Sequence, residues 1–90
     1  MRIDHGAADF PFQQLADQLR AAILSGEYAA GAKLPAISAI IANTGLAADT
    51  IRRAYKMLET EGLVTIRPGR GTFVVTADRL RAARRRGGGR

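Results

Sequence analysis

Between Thr50 and Lys56 the chain places a hydroxyl, two guanidinium groups and an ammonium group: Thr50, Arg52, Arg53 and Lys56. These groups donate hydrogen bonds and offset negative charge. An arginine can bond a guanine edge at two points in a DNA major groove, and a threonine can serve a base or a phosphate. That chemistry needs a helix buried on its other side. Read at helical spacing, Ile51, Ala54, Tyr55 and Leu58 fall at i, i+3, i+4 and i+7, one apolar stripe. The polar set lies off that stripe, crowded into the first two turns. A surface helix with a solvated basic face explains this segment alone equally well, so its neighbours decide.

A second candidate lies in Pro68-Gly69-Arg70-Gly71, where Arg70 stands between two glycines, a cation on backbone able to approach a surface closely. The flanking Leu63–Arg67 and Thr72–Val75 alternate with period two, which predicts a β-hairpin whose glycines supply the positive φ of its loop. Turn chemistry alone accounts for Gly69 and Gly71; Arg70 is the informative residue. Lys33, just before Leu34-Pro35, completes the set of candidate contacts.

The elements that must hold these groups come earlier. Pro11 suits the first turn of a helix, where its missing N–H is not needed. Phe12, Leu15, Ala16, Leu19, Ala22 and Ile23 then repeat at 3.6 up to Ser25-Gly26. Glu27 to Pro35 connects, with Lys33-Leu34 able to pair briefly as a strand. Ile37, Ile40, Ile41 and Thr44 predict a short second helix closed by Gly45, with Leu46 packed in the turn, a helix-turn-helix pattern. Ala36 and Ala47 stand where a Ser or Thr would cap each helix, and Asp49 partly compensates through the helix dipole.

The fold class is therefore α+β, a winged helix-turn-helix: three helices followed by a two-stranded β-hairpin wing. The recognition helix spans about 48–61 and the wing 67–73. The expected organisation is a flexible leader at 1–10, the winged helix domain at 11–76 and an Arg-rich tail at 77–90.

Ninety residues make one small domain, near the lower limit for a core without disulfides. There is no cysteine, so no thiolate metal site is available, and with a single histidine, His5 near the terminus, neither a His-rich metal centre nor a Ser-His-Asp triad is expected. Asp49, Glu59 and Glu61 form no paired acid–base site, no nucleophile has a base beside it, and no enzymatic activity is expected. No apolar run reaches bilayer length and no signal peptide opens the chain, so a cytoplasmic protein is expected. The formal charge of +6 is unevenly placed: residues 1–77 carry +1, and residues 78–90, with six arginines and Asp78, carry +5. A polyanionic partner is thus argued mainly through the tail. That tail offers Leu80 with only small alanines beside it. It reads as a helix extension to about Arg86 with a disordered tip, and cutting the chain after Ala77 should leave the fold whole.

From Phe10 to Val75 the chain resembles the N-terminal DNA-binding domain of the GntR family of bacterial transcription regulators. The resemblance is carried by Gln14–Arg20 with Ile23–Gly26, by Gly31–Pro35, by Leu58–Val64 and by Arg67–Val74. Thr50-Ile51-Arg52-Arg53-Ala54-Tyr55 is similar to the variant of the YtrA-like and MocR-like branches. The resemblance implies a sequence-specific regulator of transcription that contacts double-stranded DNA through Thr50 and Arg52, with Arg53 nearby, and through Arg70 and Gly71 at the wing. The chain departs from the family at Ala36, Ile37 and Ser38, where an arginine usually follows, and at Ala47-Ala48, usually a polar pair. The sensing domain that normally follows is not expected here, so neither a cofactor nor a small-molecule effector is implied, and a weak homodimer would pair on DNA. Two alternatives stand beside this reading: a winged-helix protein-interaction module, and a detached fragment of a larger sensor.

Overall fold

Pro11 opens the first helix without a side-chain cap, and Gly26 closes it in the left-handed conformation, its N–H donating to the Ile23 carbonyl. In the computed structural model, which describes Ile3 and residues 10–88, this helix α1 spans Pro11–Ser25. Five residues of the expected stripe, Phe12, Leu15, Ala16, Leu19 and Ile23, are buried. The leader expected at 1–10 lies outside the described residues, except for Ile3 and Phe10.

Helix α2 covers Ile37–Thr44 and α3 covers Ala48–Thr60. The Gly45 N–H donates to Ile41 O, and the Thr44 hydroxyl donates to Ile40 O while accepting the Leu46 N–H. These bonds satisfy backbone groups that the helix end would otherwise leave open. Leu46 is buried in the turn. Of the apolar positions of α2 only Ile40 is fully buried; Ile37 is half-buried and Ile41 is exposed. In α3 the whole stripe Ile51, Ala54, Tyr55 and Leu58 is buried. The Tyr55 hydroxyl donates to the Pro35 carbonyl at 2.5 Å. Burial raises the Tyr55 pKa, so the phenol stays a neutral donor.

Strands β1 (Val64–Arg67) and β2 (Gly71–Val74) pair antiparallel, with Val64 opposite Val74 and Arg67 opposite Gly71. Lys33 bridges Phe73 on the other edge of β2: Leu34 N–H donates to Thr72 O, and Val74 N–H donates to Ala32 O. The brief pairing expected at Lys33-Leu34 thus exists as an isolated bridge, short of a third strand, which anchors the wing to the connector.

A fourth helix, α4 (Ala77–Gly88), follows. Leu80 and Ala83 are both buried in the core, and the Arg84 guanidinium donates to the Leu24 carbonyl at 2.5 Å. The expectation of a tail without an apolar face is corrected here. Leu80 and Ala83 lie one turn apart on the same face, and the small Ala83 lets the helix approach closely. Among the described residues no helix is long and apolar enough to cross a membrane.

Candidate nucleic-acid interface

Helix α3 and the wing diverge from their junction at Glu59, and this residue fixes the angle between them. One Glu59 carboxylate oxygen accepts the Ile66 N–H at 3.1 Å, and the other takes the Lys56 ammonium at 3.2 Å. The Ile66 N–H, and secondarily Lys56, hold the Glu59 carboxyl below its ordinary value. On the opposite flank of α3, the Arg20 fork meets the Glu61 carboxylate with two bonds of 2.7 Å and reaches Asp17 at 2.6 Å. Helix α3 is therefore held near its middle by Tyr55 to Pro35 and at its C-terminus by these carboxylates.

Between α3 and the wing runs a groove of about 900 Å³. Six cations line it: Lys33, Arg52, Arg53, Lys56, Arg67 and Arg70. Its floor is apolar, with the half-buried Pro35, Ile37 and Ile66 and the exposed Pro68 between the charges. Asp49 is the only acid among the described residues that line it.

The seven residues singled out in the sequence distribute unequally. Lys33, Arg52, Arg53, Lys56, Arg70 and Gly71 all line the groove. Thr50 does not; it is half-buried on the flank of α3 between the groove and the core. Arg52 donates to Asp49 at 2.8 Å, and both side chains are mostly exposed. The Arg53 guanidinium carbon sits over the Phe12 ring, 3.9 Å from its centroid. Lys56 is shared with Glu59, as described. Arg70 is exposed at the wing tip, its own N–H donating to Arg67 O across the turn. Lys33 packs its stem on Gly71: a Cβ there would stand 2.7 Å from Lys33 Cε, and the glycine holds φ at +126°. Gly71 thus gives Lys33 the room to lie along the wing.

Arg67, placed by the sequence at the start of the wing but not among the contact residues, ends at the groove with its guanidinium 5.6 Å from the Phe73 centroid. The signal that could have found it is its place immediately before Pro68, where the strand must turn and expose its last side chain. Arg79, Arg81, Arg84 and Arg85 of α4 are exposed and lie elsewhere, and among the described residues none from α4 lines the groove.

Comparison with known proteins agrees with this geometry. The family model "Bacterial regulatory proteins, gntR family" matches residues 11–74. The HTH-type transcriptional regulator Rv1152 of Mycobacterium tuberculosis is 34% identical over 83 residues, covering 92% of this chain and 69% of that protein. An uncharacterized HTH-type transcriptional regulator of Escherichia coli, YdcR, is 40% identical over 63 residues, 70% of this chain and 14% of that protein. The chain spans between 14% and 28% of the first three curated relatives it matches. Among solved structures, YtrA from Sulfolobus acidocaldarius, a GntR-family transcription factor, superposes with a TM-score of 0.77 at 28% identity, covering 94% of this chain and 75% of its own. The DNA-binding domain of AraR, solved with operator ORX1, shares the fold with a TM-score of 0.75 at 24% identity, over 83% of this chain and 96% of its own. With its three-helix core, its two-stranded wing and a family match running from Pro11 to Val74, the chain belongs to the gntR family of bacterial regulatory proteins.

Proposed function

We propose that this domain binds double-stranded DNA sequence-specifically and regulates transcription, with α3 in the major groove and the wing on the backbone or the neighbouring minor groove. The observation that carries this reading is the groove itself, where six cations from three separate segments face one another across an apolar floor with a single carboxylate among them. A solvated surface has no need to collect charge of one sign from residues 33, 52–56 and 67–70. Convergence at that cost in repulsion fits a polyanion as occupant. Arg52 and Arg53 lie toward the N-terminal end of α3, the end that enters the major groove in helix-turn-helix proteins. Arg70, Arg67 and Lys33 would hold phosphates on either side of the wing. Two such domains would pair on adjacent half-sites as a weak dimer, in the bacterial cytoplasm where the chromosome is exposed to them, and no small-molecule effector is assigned to the described residues.

The alternative is a winged helix that binds a protein. Its supporting observation is the pair of exposed alanines, Ala36 and Ala47, at the two helix starts, neither of which makes a side-chain cap. A gel-shift titration separates the two, using random duplex and the region upstream of the chain's own gene. DNA binding predicts a shift on both and a tighter one on the upstream region; the absence of any shift at low salt favours the protein partner.

A further inference from the structure

Among the residues that line the groove, Asp49 is the one whose charge opposes a polyanion, and its placement is the least expected feature of the surface. It sits in the first turn of α3, its side chain 96% exposed, with Oδ1 2.8 Å from Arg52 Nη1. The helix start beside it, at Ala47, has no side-chain cap, so its free N–H groups would attract phosphate. A carboxylate at that point works against such attraction, and a domain built only for affinity has no use for it.

We propose, on the basis of the DNA-binding function argued above, that Asp49 sets the sequence selectivity of α3. The ion pair occupies Nη1 of Arg52 and leaves the Nε–Nη2 edge of the guanidinium open. That edge carries two parallel donors, the number that guanine O6 and N7 accept in the major groove. Asp49 thus orients Arg52 with one face toward a guanine. Among the described residues Oδ2 of Asp49 has no hydrogen-bond partner. In the major groove a carboxylate can accept from an exocyclic amino group, and cytosine N4 suits it better than adenine N6, which is flanked by the N7 lone pair. Phosphate, guanine O6 and N7 and thymine O4 all present lone pairs to it. Asp49 therefore selects a cytosine N4 donor next to the guanine read by Arg52 and rejects registers that bring a phosphate to the start of α3. The residue lowers affinity for random duplex and raises the ratio of specific to random binding.

The role of Asp49 at the helix dipole also accounts for an acid in the first turn, but it makes no statement about bases. The two are separated by selecting duplexes from a randomised pool with the full chain and with Asp49→Ala and Asp49→Asn, then measuring affinity for the enriched sequence and for random duplex. The expected wild-type motif contains a guanine with an adjacent cytosine-specific position. In Asp49→Ala that second position becomes degenerate, random-duplex affinity rises, and the specific-to-random ratio falls about tenfold, the discrimination typical of one base contact. Asp49→Asn, which keeps an acceptor without the charge, should raise random binding while retaining part of the cytosine preference. An unchanged motif with both affinities raised by one factor overturns the proposal, because Asp49 then acts as bulk charge. A lowered Tm with unchanged motif and ratio overturns it equally, leaving only the dipole role. A wild-type chain that enriches no motif removes the DNA-reading function together with this inference, whereas a wild-type motif that survives in Asp49→Ala removes this inference alone.

Discussion

The Arg53 guanidinium rests on the face of the Phe12 ring, 3.9 Å from the centroid, and so ties the start of α1 to the exposed side of α3. Phe10, itself exposed, stacks near-parallel to Phe12 with its centroid 6.2 Å away. A guanidinium over a ring keeps its N–H donors available to another partner, and Arg53 lines the groove. Arg53 is therefore a cation with its direction fixed in advance.

Arg53→Ala should weaken binding to specific and random duplex by the same factor, as a phosphate contact does, and reduce the log–log salt slope by about 0.9. It should also cost about 0.5–1 kcal/mol of stability, the usual worth of an exposed cation–π contact. Arg53→Lys should restore most of the charge but not the stack. Salt-dependent affinity combined with urea unfolding checks both parts, and a loss confined to the specific site would make Arg53 a base reader.

Arg52→Ala should behave differently. It should cost about 1–3 kcal/mol on the specific site and less on random duplex, because an arginine on a guanine edge carries sequence information. Equal losses on both would reassign it to phosphate, and no loss on either would remove α3 from the major groove.

Glu59 gives the wing a pH dependence. Its folded carboxyl lies below the ordinary 4.5, first because the Ile66 N–H donates to it and then because Lys56 faces it. A depressed carboxylate contributes stability that is present above its unfolded value and lost as pH falls through the folded one. Urea midpoints should therefore fall more steeply for the wild type than for Glu59→Gln as pH drops below about 4.5. Parallel acid limbs would show that the bond to Ile66 does not hold the charged form.

Much of this was legible in the sequence because period reports burial directly. The stripes of α1 and α3 each name a buried face, and the structure buries them apart from the half-buried Ala22. The alternation holds in β2, where Thr72 and Val74 are buried, and fails in β1, where only Val64 is. The misreadings came where one or two residues decide. The spacing of Ile37, Ile40 and Ile41 marks a helix without naming its buried side, and of the three only Ile40 is fully buried in this eight-residue helix. Leu80 and Ala83 do not make a stripe, and their burial depends on surfaces contributed by distant segments, which no local period encodes. The groove was half visible: its charges stood out, but the assembly of Lys33 and Arg67 with them depends on the pairing of Lys33 with Phe73 and on the turn at Pro68.

The burial of Leu80 changes the test of the tail. Cutting the chain after Ala77 removes Leu80 and Ala83 from the core, so truncation should lower Tm instead of leaving the fold whole, and Leu80→Ala alone should cost about 2 kcal/mol or more. Loss of DNA binding in a truncated chain would then report unfolding, and charge must be removed without shortening the helix.

Arg79, Arg81 and Arg85 are exposed, whereas Arg84 holds the Leu24 carbonyl and is best left in place. Changing the first three to glutamine keeps α4 and its buried face. Since α4 does not line the groove, its arginines reach phosphates only where a duplex extends past the domain, whose longest dimension is 35 Å. One helical turn of DNA spans about 34–36 Å. On a duplex of about 12 base pairs, sized to that turn, the triple variant should therefore bind like the wild type. On a duplex of about 30 base pairs it should bind more weakly, with specific and random affinities lowered alike and the salt slope reduced by up to about 0.9 for each arginine that touched a phosphate. Equal salt slopes on the long duplex would show that the basic helix acts on something other than DNA. A loss already present on the short one would place α4 against the same turn of duplex that α3 reads.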